Sequence, residues 1–100
     1  MDREQIDGLI QRIQRDSGGA FISGLGYIGD RLGIFRALAD DGPLDSPRLA
    51  AATGLHERYV REWLQAMAAF GYVEVDDGGG TYHLTDEQRA VLVDETSPFF

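Results

Sequence analysis

The sequence lacks several residue types, and each absence removes a class of chemistry. It contains no cysteine, which excludes disulfide bonds, thiolate nucleophiles and cysteine-ligated zinc. It also contains no lysine, so all nine basic residues are arginine, a composition that hints at a GC-rich genome. The two histidines, His56 and His83, share no metal-ligand spacing with the acidic residues. The sequence therefore predicts neither a metal site nor a catalytic residue.

Long hydrophobic runs are missing too. No segment approaches the roughly 18–20 apolar residues that are needed to cross a membrane. Asp2 and Glu4 precede the first apolar block, so the N-terminal segment does not resemble a secretory signal. We therefore expect a soluble protein in the cytoplasm, with no membrane partner.

Positive charge is scarce and unevenly distributed. Seventeen acidic residues against nine arginines give a net charge of −8. Residues 1–69 contain ten acids and eight arginines, whereas residues 70–100 contain seven acids and one arginine. Phosphate contacts dominate non-specific affinity for DNA, and a surface with this excess of acidic residues repels phosphate. The charge therefore argues against nucleic acid as a partner.

The 100 residues are enough for one small domain, and its first part reads as two helices. A helix over residues 2–15, capped by Asp2, carries a single apolar stripe and ends at Ser17-Gly18-Gly19. The members of the stripe are Ile6, Leu9, Ile10 and Ile13. Residues 20–39 continue in helical periodicity, with a break near Gly33.

The second part has the order helix, tight turn, helix and hairpin. Ser46 caps a short helix that ends at Gly54, and residues 57–70 form the next helix. The apolar face of that second helix comprises Val60, Trp63, Leu64 and Met67. Residues 72–75 and 81–84 are predicted strands around a glycine-rich turn. A last helix begins at Thr85, with Gln88 at the capping-box position.

This order predicts a mainly α fold with a small β-hairpin, a winged helix-turn-helix preceded by two N-terminal helices. We expect residues 1–40 to form the N-terminal helices and residues 41–100 the winged helix-turn-helix, together as one domain. In a DNA-binding protein of this fold, the helix over 57–70 would enter the major groove.

On that helix, the candidate DNA contacts are Arg58, Arg61 and Gln65, since arginine and glutamine can read base edges. However, Glu57 and Glu62 lie among them, and the hairpin is acidic. A solvated helix face is the favoured interpretation, and a free-standing DNA-binding regulator remains the alternative.

Residues Gly24 to Gly29 spell the G-x-G-x-x-G of dinucleotide-binding loops. That loop needs a strand before it and a second strand after its helix, and the sequence predicts neither. The favoured interpretation is close packing, with Gly26, Gly29 and Gly33 near one side of a helix where another backbone approaches. On the same segment, Tyr27 and Arg31 are spaced four residues apart and are candidates to face a ligand together.

Several motifs together form a whole-domain pattern, and the most specific are Leu32-Gly33-Ile34-Phe35, Leu49 to Gly54, Tyr59 to Leu64, Gly71-Tyr72-Val73 and Tyr82-His83-Leu84-Thr85. On these motifs, residues 20–98 resemble the N-terminal winged-helix domain of bacterial class I S-adenosylmethionine (SAM)-dependent methyltransferases.

The resemblance implies a function for the domain. In such enzymes this domain mediates dimerisation and forms part of the wall over the substrate pocket, without binding DNA. The resemblance also implies that SAM and the catalytic residues belong to a C-terminal Rossmann-like domain outside this sequence. We therefore expect a homodimer that contacts a small-molecule substrate, binds no cofactor by itself and has no catalytic residue to carry over. Phe21, Tyr27 and Arg31 are then candidates for the substrate wall. A small ligand-binding or catalytic domain that reuses this wall is a further alternative.

Overall fold

The computed structural model describes residues 1–96. The helices are α1 (Arg3–Arg31), α2 (Ile34–Asp41), α3 (Ser46–Thr53), α4 (Glu57–Ala69) and α5 (Asp86–Leu92), and the strands are β1 (Glu74–Val75) and β2 (Tyr82–His83). The predicted fold class is confirmed, since two helices precede a helix-turn-helix and a two-stranded hairpin. Among residues 1–96, no helix combines the length and the apolar character that crossing a membrane requires.

Helix α1 is longer than the sequence predicted, because the expected end at Ser17-Gly18-Gly19 is wrong. The Asp2 carboxylate caps the helix as predicted, accepting from the Glu4 N–H at 2.9 Å. The helix then runs without interruption to Arg31. Glycine inside a helix costs about 1 kcal/mol relative to alanine but does not forbid helical backbone. Packed residues further along the helix, among them Ile22, keep the chain helical.

The break near Gly33 is confirmed. Gly33 has a φ of 74°, a left-handed conformation that glycine adopts without a steric penalty, and α2 begins at the next residue. The G-x-G-x-x-G segment, in contrast, lies inside α1 with helix on both sides. A dinucleotide-binding loop needs a strand directly before it, and this segment has helix there instead.

The predicted approach of another backbone to Gly26, Gly29 and Gly33 is wrong, although Gly29 does make a close contact. A Cβ built at Gly29 would collide with Trp63 Cζ2 and lie 2.9 Å from Phe35 Cε2. At Gly26 the same construction meets nothing within 4 Å. The close approach is therefore made at Gly29 alone, and by aromatic side chains instead of another backbone.

The helix-turn-helix follows the prediction except at its cap. Asp45, not Ser46, is the N-cap of α3, and its carboxylate accepts from the Arg48 N–H at 2.9 Å. Ser46 begins the helix and its hydroxyl donates to Glu57 Oε2 at 2.6 Å, which ties α3 to the start of α4. Gly54 ends α3 with a φ of 73°, as expected for a helix stop.

The hairpin is shorter than predicted. Glu74 pairs with His83 and Val75 with Tyr82, and the turn begins directly afterwards at Asp76. Tyr82 also exchanges two backbone hydrogen bonds with Leu44, of 2.9 and 3.0 Å, which attaches the hairpin to the segment before α3. The wing is thus fixed to the domain through its second strand.

The start of α5 is the predicted capping box. Thr85 Oγ1 accepts from the Gln88 N–H at 3.1 Å, and Gln88 Oε1 accepts from the Thr85 N–H at 2.9 Å. The Gln88 amide also donates to the Gly71 carbonyl and to Glu74 Oε1. One side chain therefore caps α5 and holds it to both ends of the segment that leads into the wing.

The core lies where α1, α2, α3 and α4 meet. Its fully buried members from α4 are the four predicted residues, Val60, Trp63, Leu64 and Met67. Trp63 Nε1 donates to the carbonyl of Leu25 at 3.0 Å, and the Trp63 and Phe35 rings meet edge to face with centroids 5.0 Å apart. This aromatic pair connects α4 with α1 and α2.

Replacing Gly29 by alanine tests the aromatic contact. We expect G29A to lower the free energy of unfolding by roughly 1–3 kcal/mol, because the new methyl group overpacks the Trp63 and Phe35 rings. Gly24→Ala is the matched control, since a Cβ there meets nothing within 4 Å in the same helix. It should stabilise the protein by up to about 1 kcal/mol through helix propensity. Urea denaturation of both variants measures the difference, and equal stability would contradict the packing described.

Candidate interaction surfaces

The first half of α1 is an extension that the rest of the domain leaves uncovered; we refer to residues 3–17 as the arm. Its apolar stripe lies on one face, as the spacing predicted. Leu9, Ile10 and Ile13 are 48%, 49% and 54% exposed, and Ile6 is partly buried. The domain measures 54 Å in its longest dimension and 32 and 25 Å in the others. The stripe is therefore an apolar surface that lies outside the core.

A first groove runs between α1 and α4. It encloses about 160 Å³ and is lined by Phe21, Leu25, Tyr59, Glu62, Trp63 and Ala66. Phe21 and Tyr59 are 60% and 40% exposed, which is unusual for large aromatic side chains beside a core. Glu62 is the only charged group of this lining. The groove suits an apolar or aromatic ligand group more than an anion.

A second groove lies between α1 and α5 and encloses about 270 Å³. Its lining is Ile22, Ser23, Gly26, Phe35, Met67, Tyr72 and Leu92. Sequence reasoning missed this groove, because α1 and α5 are separated by more than fifty residues. The exposed Tyr72 continues into a shallow apolar surface with Val91 of α5. Because Gly26 has no side chain, it leaves room in this groove. This explains the glycine at position 26 better than close packing against another backbone, since a Cβ there would meet nothing within 4 Å.

The three ligand-facing candidates of α1 do not share one surface. Tyr27 and Arg31 are adjacent, with the guanidinium carbon 6.0 Å from the ring centroid, a distance at the limit for a cation–π contact. Phe21 is six residues before Tyr27, which places the two about 120° apart around the helix. Phe21 lines the first groove. Tyr27 and Arg31 lie on an exposed face and line neither the first groove nor the second.

The outward face of α4 carries the candidate DNA contacts, and its arginines are paired. Arg58 Nε lies 3.5 Å from Glu62 Oε1, and Arg61 Nε lies 3.8 Å from Glu57 Oε2. Gln65 is exposed. Each arginine therefore has a carboxylate one helical turn away, so this face presents little net positive charge.

The wing carries further negative charge. Asp76 accepts from the Thr81 hydroxyl, and its other oxygen lies 2.9 Å from His83 Nδ1, a contact that is an ion pair only when the imidazole is protonated. Asp77 and Glu74 are on the same hairpin. A wing of this charge would repel the phosphates that a DNA-binding wing contacts.

A third cleft, of about 400 Å³, lies between α2 and the end of α5. It is lined by Arg36, Asp40, Arg89 and residues 93–96. The charge of Arg36 is offset by Glu95, whose carboxylate lies 3.6 Å from the guanidinium. The same guanidinium donates to the Val93 carbonyl at 3.4 Å. Hydrogen bonds from the Thr96 hydroxyl and N–H lower the pKa of Asp94 below its ordinary value.

Among residues 1–96, no group of three acidic or histidine side chains is arranged to hold a metal ion.

Comparison with solved structures gives several neighbours, of which three illustrate the likeness. PigF, solved with SAH, is 28% identical with a TM-score of 0.75, over 90% of this chain and 28% of PigF. CalO1, a methyltransferase in calicheamicin biosynthesis in its SAH-bound form, is 28% identical with a TM-score of 0.71, over 98% of this chain and 28% of its own. The mitomycin 7-O-methyltransferase MmcR shares the fold at 23% identity with a TM-score of 0.81.

The chain thus spans about 28% of the length of these neighbours. No protein of curated function matches the sequence. The sequence model of one protein family, the Rv2258c-like winged HTH domain, matches residues 20–94. This range includes every element from the second half of α1 to α5. The chain therefore belongs to the family of Rv2258c-like winged helix-turn-helix domains.

Proposed function

We propose that this chain is the accessory domain of a small-molecule SAM-dependent methyltransferase, in which it dimerises and supplies one wall of the substrate pocket. The likeness to PigF and CalO1 carries the proposal, because it extends over nearly all of this chain but only 28% of theirs. A Rossmann-like domain in the rest of such an enzyme would hold SAM and the catalytic groups. A winged helix is only a framework, so the role of this chain must come from its surfaces.

The dimer contact is assigned to the arm. Of the two N-terminal helices, α2 buries Ile34, Phe35 and Leu38 in the core of its own domain. The arm, in contrast, exposes Leu9, Ile10 and Ile13 on one face. Burial of apolar surface drives association, so α1 is the part of residues 1–40 that is available for it.

The substrate wall is assigned to the grooves along α1. Phe21 is the strongest of the three candidates, because it lines an apolar groove with Tyr59 and Trp63. Tyr27 and Arg31 are on a different face and would reach a ligand only at a surface completed by another domain or copy. The paired arginines of α4 and the acidic wing support a function other than DNA binding.

Disrupting the stripe tests the dimer. We expect Ile10→Glu to raise the dimer dissociation constant by at least about a hundredfold, because each of the two subunits loses about 1.4 kcal/mol of apolar contact. The two buried charges weaken association further. Gln11→Glu adds the same charge to the same helix, about 100° further round and away from the stripe, and should leave association unchanged. Sedimentation velocity over a range of concentrations measures both, and a wild-type chain that stays monomeric would refute the dimer.

The division of labour with a second domain predicts the absence of cofactor binding. Titration of this chain with SAM in a calorimeter should give no saturable heat, because the G-x-G-x-x-G segment lies inside helix α1 and so forms no phosphate-binding loop after a strand. Tight, stoichiometric binding of SAM by the chain alone would contradict the assignment of the cofactor to another domain.

The charge distribution predicts no affinity for DNA. A gel-shift assay with mixed genomic fragments at low salt should show no retarded band, since Arg58 and Arg61 are neutralised and the wing is acidic. The double variant Glu57→Gln/Glu62→Gln, which frees both arginines, should gain weak, salt-sensitive binding. A shift by the wild-type chain that is lost in Arg58→Ala/Arg61→Ala would restore the regulator hypothesis.

A further inference from the structure

We infer that the arm pairs with the arm of a second copy in antiparallel orientation, with the two-fold axis passing between Leu9 and Ile10. This inference rests on the proposed dimerisation and adds to it the orientation and register of the contact. Three features of the arm support it: the spacing of its apolar residues, the order of its charges, and the length of helix that is uncovered.

The apolar residues are symmetric about one point. Leu9 and Ile10 lie on either side of it, and Ile6 and Ile13 lie at equal distances beyond them. An antiparallel copy centred there covers the whole stripe with the whole stripe, since each residue at position i faces the level of position 19 − i. Shifting the centre toward the domain would set isoleucines against Asp16 or Ser17 and leave part of the stripe exposed.

The charges favour the same orientation. Residues 2–8 contain Asp2, Glu4, Asp7 and one arginine, a net charge of −2. Residues 11–17 contain Arg12, Arg15 and one aspartate, a net charge of +1. Antiparallel pairing brings the acidic segment of each copy alongside the basic segment of the other. Parallel pairing would place each segment beside its own copy, so that segments of the same net charge would be adjacent at both ends of the arm.

The uncovered length matches this register. The arm ends where α1 meets its domain, at Gly18, beside which the Phe70 ring lies at 3.8 Å from the position of a Cβ. In the antiparallel arrangement, Asp2 of the second copy reaches the level of Ser17. The two arms therefore overlap over about 16 residues, or roughly 24 Å, without extending onto the body of the other copy.

Cysteine cross-linking tests the orientation, and the chain suits it because it has no native cysteine. The two copies of Ile10→Cys are offset by only about 1.5 Å along the axis and should form a disulfide-linked dimer under mild oxidation. Copies of Ile6→Cys, or of Ile13→Cys, are offset by about 10 Å, beyond the roughly 7 Å limit between Cα atoms. Each of these should stay unlinked alone, while an equimolar mixture of the two should give the mixed covalent dimer.

The controls separate failure of the register from failure of the dimer. Gln11→Cys lies away from the stripe and should not cross-link. Self-linkage of Ile6→Cys would show parallel pairing, and a mixture of the Ile6→Cys and Ile13→Cys chains that gives no mixed dimer would overturn the register. Sedimentation of the reduced chains gives the oligomeric state independently: monomers at every concentration refute dimerisation itself, whereas dimers without the expected linkage refute only the antiparallel register. Circular dichroism confirms that each variant keeps its helix content.

Discussion

The contact between the Trp63 indole and the backbone of α1 is the constraint on which the rest of the fold depends. The indole rests over Gly29, donates its N–H to the Leu25 carbonyl, and meets the Phe35 ring edge to face. One side chain at the centre of α4 thus determines how closely α1 and α2 approach it. A residue larger than glycine at position 29 would move α1 outward and open both grooves that run along it.

The same winged framework can hold surfaces of opposite sign, and in this chain the helix and the wing that a DNA-binding member would use carry paired or acidic side chains. The helix that would read bases has its arginines matched with glutamates one turn away, and the Ser46 hydroxyl further engages Glu57. The hairpin that would contact phosphate carries Asp76 and Asp77. The packed core of the winged helix then serves to hold α1, so that its arm and the two grooves along it are presented at the surface.

The sequence was most informative where structure is decided locally. The stop at Gly54, the capping box of Thr85 and Gln88, and the buried face of α4 are confirmed, because each depends on residues within one or two turns. The sequence also placed Glu57 and Glu62 among the candidate DNA contacts, whereas the ion pairs that they form with the arginines are seen only in the structure. The expected end of α1 at Ser17-Gly18-Gly19 is wrong, since glycine permits a helix end without requiring one, and Asp45 took the capping role given to Ser46.

The candidate surfaces were predictable only in part, for a related reason. Phe21 could be identified as a large aromatic residue on a helix. That it shares a groove with Tyr59 is decided by the way α1 crosses α4, which the sequence does not show. The groove with Tyr72 and Leu92 depends on a contact between distant parts of the chain, about which local patterns say nothing. Gly29 and Gly26 look alike in the sequence, and only the position of Trp63 separates the packed glycine from the open one.

The arm has a consequence for the order in which the molecule becomes structured. A solitary helix of about fifteen residues is marginal in water, and Gly18 and Gly19 weaken the connection between the arm and the packed half of α1. The amide hydrogens of the arm would therefore exchange with solvent far faster than those of α4 in a dilute solution. Under the proposed pairing of two arms, this exchange would slow as concentration rises, and the helicity of the arm would report the fraction of the protein that is dimeric.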